Sequence, residues 1–332
     1  MTTVLSAGMR PTMLEALEPQ LPSDIDMVVV PDDLPEQERA AMAKRADIFF
    51  GSLAGVSQEL LEAMAGYRLV QLTSAGYEAL CLETIERLRI PVATNGGANA
   101  VSVAEHTIML MLACLRYLGA HHLLVKHGQW RSLHVEEPTE LEGKTVGLLG
   151  FGHIGRTVAQ RLKGWGVVTL YHDVTRPDER TETALNARFA EIEELLATSD
   201  ILSVHTPLNA STKNLLGVEQ FLKMKPGAIV INTSRGEIID EDALCTSLRN
   251  GHLGAAGLDV FRHEPCQASP LFELDSVVLT PHTAGNTVDV WRKTAANGLA
   301  NIRRVIEGKE PMHLIPEVRK LLSRGEDACL GS

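Results

Sequence analysis

Arg235, Glu264 and His282 each stand just past a short apolar run, in "AIVINTSRG", "AAGLDVFRHEP" and "SVVLTPH". A guanidinium, a carboxylate and an imidazole brought together can bind and polarise a carbonyl compound. The planar fork of Arg235 would grip a carboxylate at two points and draw charge onto the neighbouring carbonyl oxygen. The imidazole of His282 would give a proton to that oxygen in one direction and take it back in the other. Glu264 would favour the protonated imidazole and fix its orientation. Taken singly, each has a plain alternative as a surface residue that follows a strand. The chemical reading depends on the three runs being neighbours.

A second motif supplies what such a carbonyl would react with. "TVGLLGFGHIGRTVAQRL" carries Gly150, Gly152 and Gly155 as G-x-G-x-x-G, after an apolar run and before a helical stretch. In that context the first glycine makes a tight turn and the second admits a pyrophosphate to the backbone. The third lets helix and strand pack closely, and the helix N-terminus adds positive potential. The next apolar run, "VVTLYHD", ends at Asp173. A carboxylate there can accept from both ribose hydroxyls of an adenosine and repel a 2′-phosphate, which favours NAD over NADP. Arg176, three residues on, lies close enough in sequence to cloud that preference. With a nicotinamide in place, the three strand-end residues are suited to hydride transfer at a 2-hydroxy acid.

These residues need elements to position them. The first hundred residues alternate the runs "TVLSAG", "DMVVVP", "DIFFGS", "LVQLTSAG" and "PVATNG" with helical patterns, which predicts a parallel sheet covered on both faces. One long helix is expected from Val101 to about His127, with Glu105 in its first turn. His121, His122 and His127 lack an i, i+4 pair and read as ordinary histidines, with no metal site. A loop over 128–144 leads to a second series of six runs, from "TVGLLG" to "SVVLTPH". In a doubly wound sheet the carboxyl ends of the strands share one edge. Arg235, Glu264 and His282, after the fourth, fifth and sixth runs, therefore converge beside the nucleotide. The expected division is 1–100 for a first α/β domain, 101–286 for the second, and 287–332 for a helix and tail returning to the first.

Composition excludes other classes. A net charge of -11 over 332 residues disfavours nucleic acid and anionic membranes. The five cysteines are scattered and form no CxxC pair, which fits a reducing compartment and no zinc. "TIMLMLACLRYL" is interrupted by Arg116 before membrane-spanning length, and "MTTVLSAGMR" lacks the charged start of a signal peptide. A cytoplasmic protein is expected. "MLMLACLRYLGAHHLLV" is more apolar than one core stripe requires, which predicts a homodimer.

"GFGHIG", "NTSRGEIIDEDAL", "GLDVFRHEP", "TPHTAG" and "GGANAVSVAEHT" together resemble the signatures of the D-isomer-specific 2-hydroxyacid dehydrogenases across nearly the whole chain. The resemblance implies a Rossmann NAD-binding domain inserted into a flavodoxin-like substrate domain, with a cleft between them. It implies catalytic roles for Arg235, Glu264 and His282, and substrate-carboxylate binding by the backbone of Ser74, Ala75 and Gly76. It also implies cofactor contacts from His153, Ile154, Asp173, Thr206, Pro207, Thr233 and Asp259, with Ser234, Arg235, His282 and Gly285 in the same loops. Asp259 would hold the nicotinamide carboxamide, unless it is only a strand-end cap. His205 reads as wall.

The expected substrate is glyoxylate, hydroxypyruvate or another short 2-keto acid. Relatives acting on formate carry Gln where this chain has Glu264. Phosphoglycerate dehydrogenases place basic residues in the first domain, where "FFGSLAGVS" has none, but a phosphorylated substrate stays open. A nucleotide-sensing protein like the C-terminal-binding-protein corepressors is the alternative from another class.

Overall fold

Short apolar runs followed by amphipathic stretches fold here into two parallel sheets, each with helices packed against it. The structure, a computed structural model, describes residues 1–31, 33–53, 56–78, 80–130, 137–319 and 321. Part of the loop expected over 128–144, part of "FFGSLAGVS" and Cys329 therefore lie outside the described residues. The chain divides into two units, Met1–Asn99 with Thr287–Ser332, and Ala100–Asn286.

The first unit contains strands β1 (Thr2–Ala7), β2 (Ile25–Val29), β3 (Ile48–Gly51), β4 (Leu69–Leu72) and β5 (Val92–Ala93). They pair in parallel in the order β2-β1-β3-β4-β5, the flavodoxin-like winding. Every residue of β3 and β4 is buried, so "IFFG" and "LVQL" need no polar alternation. The helix Val288–Ile306 belongs to this unit. Its Gly298 lies where a Cβ would come within 2.1 Å of the Phe50 ring, and buried Asn301 donates from Nδ2 to Gln71 Oε1 at 2.7 Å. The tail then bridges Leu314 to Ala93, and the Ile315 N–H donates to the Val92 carbonyl at 3.0 Å.

The second unit contains β6 (Thr145–Leu149), β7 (Val168–His172), β8 (Ala187–Phe189), β9 (Ile201–Val204), β10 (Ala228–Asn232), β11 (Leu253–Leu258) and β12 (Val277–Leu279). Their order is β12-β11-β10-β9-β6-β7-β8, all parallel. The winding reverses between β6 and β9, and a dinucleotide binds at such a switch point. Six strands are expected from the apolar runs and the structure has seven. The extra one, "ARF" at the sheet edge, exposes Arg188 and is too short to show a pattern. Arg235, Glu264 and His282 accordingly follow the fifth, sixth and seventh strands of this sheet.

The long helix is not continuous. It breaks into Ala100–Leu115 and Leu118–Lys126, bent by 66°. Tyr117 takes a left-handed conformation (φ 47°), which a right-handed helix cannot contain, and the Leu115 carbonyl accepts instead from the Thr139 N–H at 3.0 Å. The first piece is mostly buried against β10, β11 and β12, whereas the second has no buried residue. Among the described residues no single helix is long and apolar enough to cross a membrane.

Candidate active site

The three glycines after β6 have three different surroundings. Gly150 has φ +101°, and a Cβ there would lie 2.6 Å from the His205 carbonyl carbon and the Thr206 nitrogen. It packs the turn against the end of β9. A Cβ on Gly155 would lie 2.3 Å from the Gly150 carbonyl oxygen, so helix His153–Leu162 can approach the turn only without one. Gly152, the residue that caps this helix, faces open space: a Cβ would meet nothing within 4 Å. That opening at a helix N-terminus suits a pyrophosphate. His153 begins the helix and Ile154 packs partly into the core.

Asp173 stands beside the same turn. Its Oδ2 accepts from the Phe151 N–H at 2.6 Å and its Oδ1 from the Thr175 N–H at 2.9 Å. A carboxylate has about four acceptor positions, so two remain for ribose hydroxyls. On the other side of β6, Thr206 Oγ1 and His205 Nδ1 are buried without a hydrogen-bond partner. Buried polar atoms are nearly always satisfied, so orphans beside a glycine turn fit a site that holds a polar ligand. His205 Nε2 meets Ser203 Oγ at 2.9 Å, and burial pushes the imidazole down to about 3, which keeps it neutral. Pro207 is exposed.

The β10 run ends in a turn that carries Arg235, whose Nη1 donates to the Ser234 carbonyl at 2.7 Å. Asn232 is buried; its Oδ1 accepts from the Ser234 N–H at 3.0 Å and its Nδ2 donates to the Arg235 carbonyl at 2.9 Å. Thr233 Oγ1 meets Thr107 Oγ1 at 2.9 Å, and the Ser234 hydroxyl donates to the Thr206 carbonyl. The next residue, Gly236, lies against the loop after β11: a Cβ there would fall 1.9 Å from the Phe261 carbonyl carbon. The Arg235 and Glu264 loops are thus in backbone contact. Sequence reasoning passed over Asn232, although a polar residue closing a fully buried run is the available signal.

Glu264 and His282 form a direct pair. His282 Nδ1 lies 2.6 Å from Glu264 Oε2, while Glu264 Oε1 accepts from the Phe261 N–H at 3.0 Å. With Nδ1 engaged, Nε2 is the ring nitrogen left to exchange a proton with a ligand. A cavity of about 550 Å³ with apolar walls from Phe261, Phe272, Leu279 and Pro281 adjoins the pair.

Asp259 sits at the end of β11 with 1% exposure. Its carboxylate accepts from the Thr280 hydroxyl at 2.6 Å, the Thr283 N–H at 2.8 Å and the Ala284 N–H at 2.9 Å, just before Gly285. His106 Nε2 meets Thr280 Oγ1 at 2.9 Å and lies 3.6 Å from Asp259 Oδ1. Burial lowers the His106 pKa and the nearby Asp259 charge partly offsets it. His106 was also missed by sequence reasoning; its signal is a histidine on a buried helix face. Among the described residues, no group of three or more His, Cys, Asp or Glu could hold a metal ion.

Ser74, Ala75 and Gly76 belong to the first unit, after β4. Ser74 and Ala75 are exposed, and the Ser74 hydroxyl donates to the Gly76 carbonyl at 2.7 Å, holding the turn.

Comparison with known proteins points the same way as the geometry. Residues 108–284 match the family model for the D-isomer specific 2-hydroxyacid dehydrogenase, NAD binding domain. The chain is 35% identical over 289 residues to a glyoxylate reductase of Aeropyrum pernix, covering 85% of this chain and 86% of that one. It is 34% identical over 272 residues to a hydroxypyruvate reductase of Thermotoga maritima, covering 81% and 87%. A solved structure of an NADPH-dependent glyoxylate/hydroxypyruvate reductase from Sinorhizobium meliloti, in complex with citrate, is similar with a TM-score of 0.82. Its identity is 27%, over 96% of this chain and 99% of that one.

Proposed function

Given that the chain belongs to the D-isomer specific 2-hydroxyacid dehydrogenase family, we propose that it reduces a short 2-keto acid to the D-2-hydroxy acid with NADH, and catalyses the reverse oxidation. The observation that carries this is the Glu264–His282 pair at 2.6 Å, on the sheet edge that also bears Arg235 and the glycine turn.

A bound nicotinamide would supply the hydride in one direction and accept it in the other. Arg235 binds the substrate carboxylate in its fork and polarises the C2 carbonyl. His282 delivers a proton from Nε2 to the C2 oxygen during reduction and removes it during oxidation. Glu264 orients the ring through Nδ1 and stabilises its charge. Ser74, Ala75 and Gly76 are proposed to offer backbone donors to the substrate carboxylate. Gly150, Gly152, His153, Ile154 and Gly155 would hold the pyrophosphate side of the cofactor and Asp173 its adenosine ribose. Thr206, Pro207, Thr233, Ser234, Asp259 and Gly285 would line the remainder. Glyoxylate and hydroxypyruvate are the first substrates to try, since relatives of this chain are named for them.

NAD is favoured over NADP by the Asp173 carboxylate. A homodimer is supported by exposed Leu118, Leu123 and Val125 on the helix Leu118–Lys126. A cytoplasmic location is supported by the free thiols of Cys81, Cys114, Cys245 and Cys266. The decisive experiment is turnover of a panel of 2-keto acids with NADH and NADPH, with the product's configuration determined. Oxidation of NADH with a short keto acid, yielding the D-alcohol, is expected; inertness towards every pair would refute the reading.

A further inference from the structure

Arg176 lies in the loop after β7, three residues beyond Asp173, where an arginine can accommodate a ribose 2′-phosphate. In this chain its guanidinium is already committed. Nε donates to Glu182 Oε1 at 2.7 Å and Nη2 to Glu182 Oε2 at 2.9 Å, a two-point fork. Glu182 is no loose surface acid: its side chain is 11% exposed, and the buried Tyr171 hydroxyl donates to Oε1. The Arg176 guanidinium also lies 5.2 Å from the Phe189 ring centroid. Tyr171 in turn stacks on Phe151 of the glycine turn, with centroids 3.9 Å apart. The fork therefore rests on the same aromatic layer that shapes the cofactor turn.

We propose that Glu182 is a cofactor-specificity residue, which holds Arg176 in a fork and so withholds its charge from the 2′ position of the adenosine ribose. The proposal rests on the dinucleotide reading of the glycine turn. Exposed ion pairs contribute little, but this one is bidentate, anchored on one buried side and shared with a tyrosine. Those neighbours hold the Glu182 carboxyl down to about 2, so it is ionised at any working pH. Charge counting points the same way. Over 173–182, Asp173, Asp178, Glu179 and Glu182 carry four negative charges against two positive on Arg176 and Arg180, leaving the segment net negative towards a phosphate. Without the Glu182 charge the segment is less negative by one and the two-point carboxylate fork on Arg176 is lost.

The test is calorimetric binding of adenosine 2′,5′-bisphosphate and of 5′-ADP at one ionic strength, independent of turnover. Wild type, Glu182→Gln, Arg176→Gln and the double variant are compared, each after a thermal melt. Glu182→Gln keeps the side chain's size and its contact with Tyr171. It is expected to tighten the 2′,5′-bisphosphate on the order of tenfold relative to 5′-ADP, one new charge-assisted hydrogen bond. Arg176→Gln alone should leave that ratio near the wild-type value, and the double variant should return to it. A merely structural role for Glu182 would change the melt but not the ratio. An unmoved ratio in Glu182→Gln, or a gain that persists in the double variant, overturns the proposal. Failure of wild type to bind either 5′-ADP or NADH would instead remove the dinucleotide reading, and this inference with it.

Discussion

Asp259 holds His282 through the backbone: the His282 N–H donates to the Asp259 carbonyl at 2.7 Å, while the Asp259 carboxylate binds Thr280, Thr283 and Ala284 around it. His282 itself adopts φ 51°, a left-handed conformation that costs a non-glycine residue roughly 1–2 kcal/mol. The loop keeps that conformation because one buried carboxylate satisfies three donors across it.

Replacing Asp259 by Asn turns one acceptor oxygen into a donor facing other donors. We expect kcat to fall roughly 10- to 100-fold, the worth of one or two hydrogen bonds to a charged group, with a lowered Tm. Steady-state kinetics and a thermal melt check it. Unchanged kcat and Tm would show that the loop does not depend on this carboxylate.

The three strand-end residues should fail in different ways. Arg235→Lys keeps the charge but loses the fork, so KM for the keto acid should rise and kcat fall. His282→Ala should lower kcat by roughly 10²- to 10⁴-fold, the usual worth of a positioned acid or base. Glu264→Gln removes the carboxylate that engages Nδ1 at 2.6 Å, so the ring is held less firmly and kcat should fall with little change in KM. NADH binding, followed by fluorescence titration, should survive in all three. Its loss in His282→Ala would mean that the loop supports the nucleotide pocket and not proton transfer.

His205 predicts acid sensitivity. Burial holds it near 3 in the folded protein, against about 6.5 in the unfolded chain. Between those values the unfolded state binds a proton that the folded state refuses. Stability from this group is therefore intact above about pH 6.5 and falls as pH drops towards 3. His205→Asn should flatten the Tm-against-pH curve in that window by several degrees relative to wild type. Parallel curves for the two proteins would place the acid sensitivity elsewhere.

The helix Leu118–Lys126 exposes Leu118 by 58%, Leu123 by 52% and Val125 by 57%, enough apolar surface to ask for a cover. A dimer at micromolar concentration is expected by sedimentation velocity, and Leu123→Glu with Val125→Glu should dissociate it. A monomeric wild type would end this reading.

Sequence alone determined the motifs and most of the strands that carry them. "AIVINTSRG" and "TVGLLGFGHIG" are legible because fully buried parallel strands are continuous apolar runs and because glycines are forced wherever backbones meet. Tertiary structure decided what depends on partners distant in the chain. The helix break at Tyr117 follows from a bond between Leu115 and Thr139, invisible to periodicity. The edge strand Ala187–Phe189 exists because β7 offers it a ladder, not because three residues have a pattern. Asp259 reads from sequence as a cofactor contact or a cap; the fold surrounds it with Thr280, Thr283, Ala284 and His106. Arg176 clouds the reading of that strand end in the sequence; the fold pairs its guanidinium with Glu182, one helical turn into the next element. Local spacing specifies which side chains stand at strand ends, but hydrogen-bond partners are fixed only when separate loops are folded onto one sheet edge.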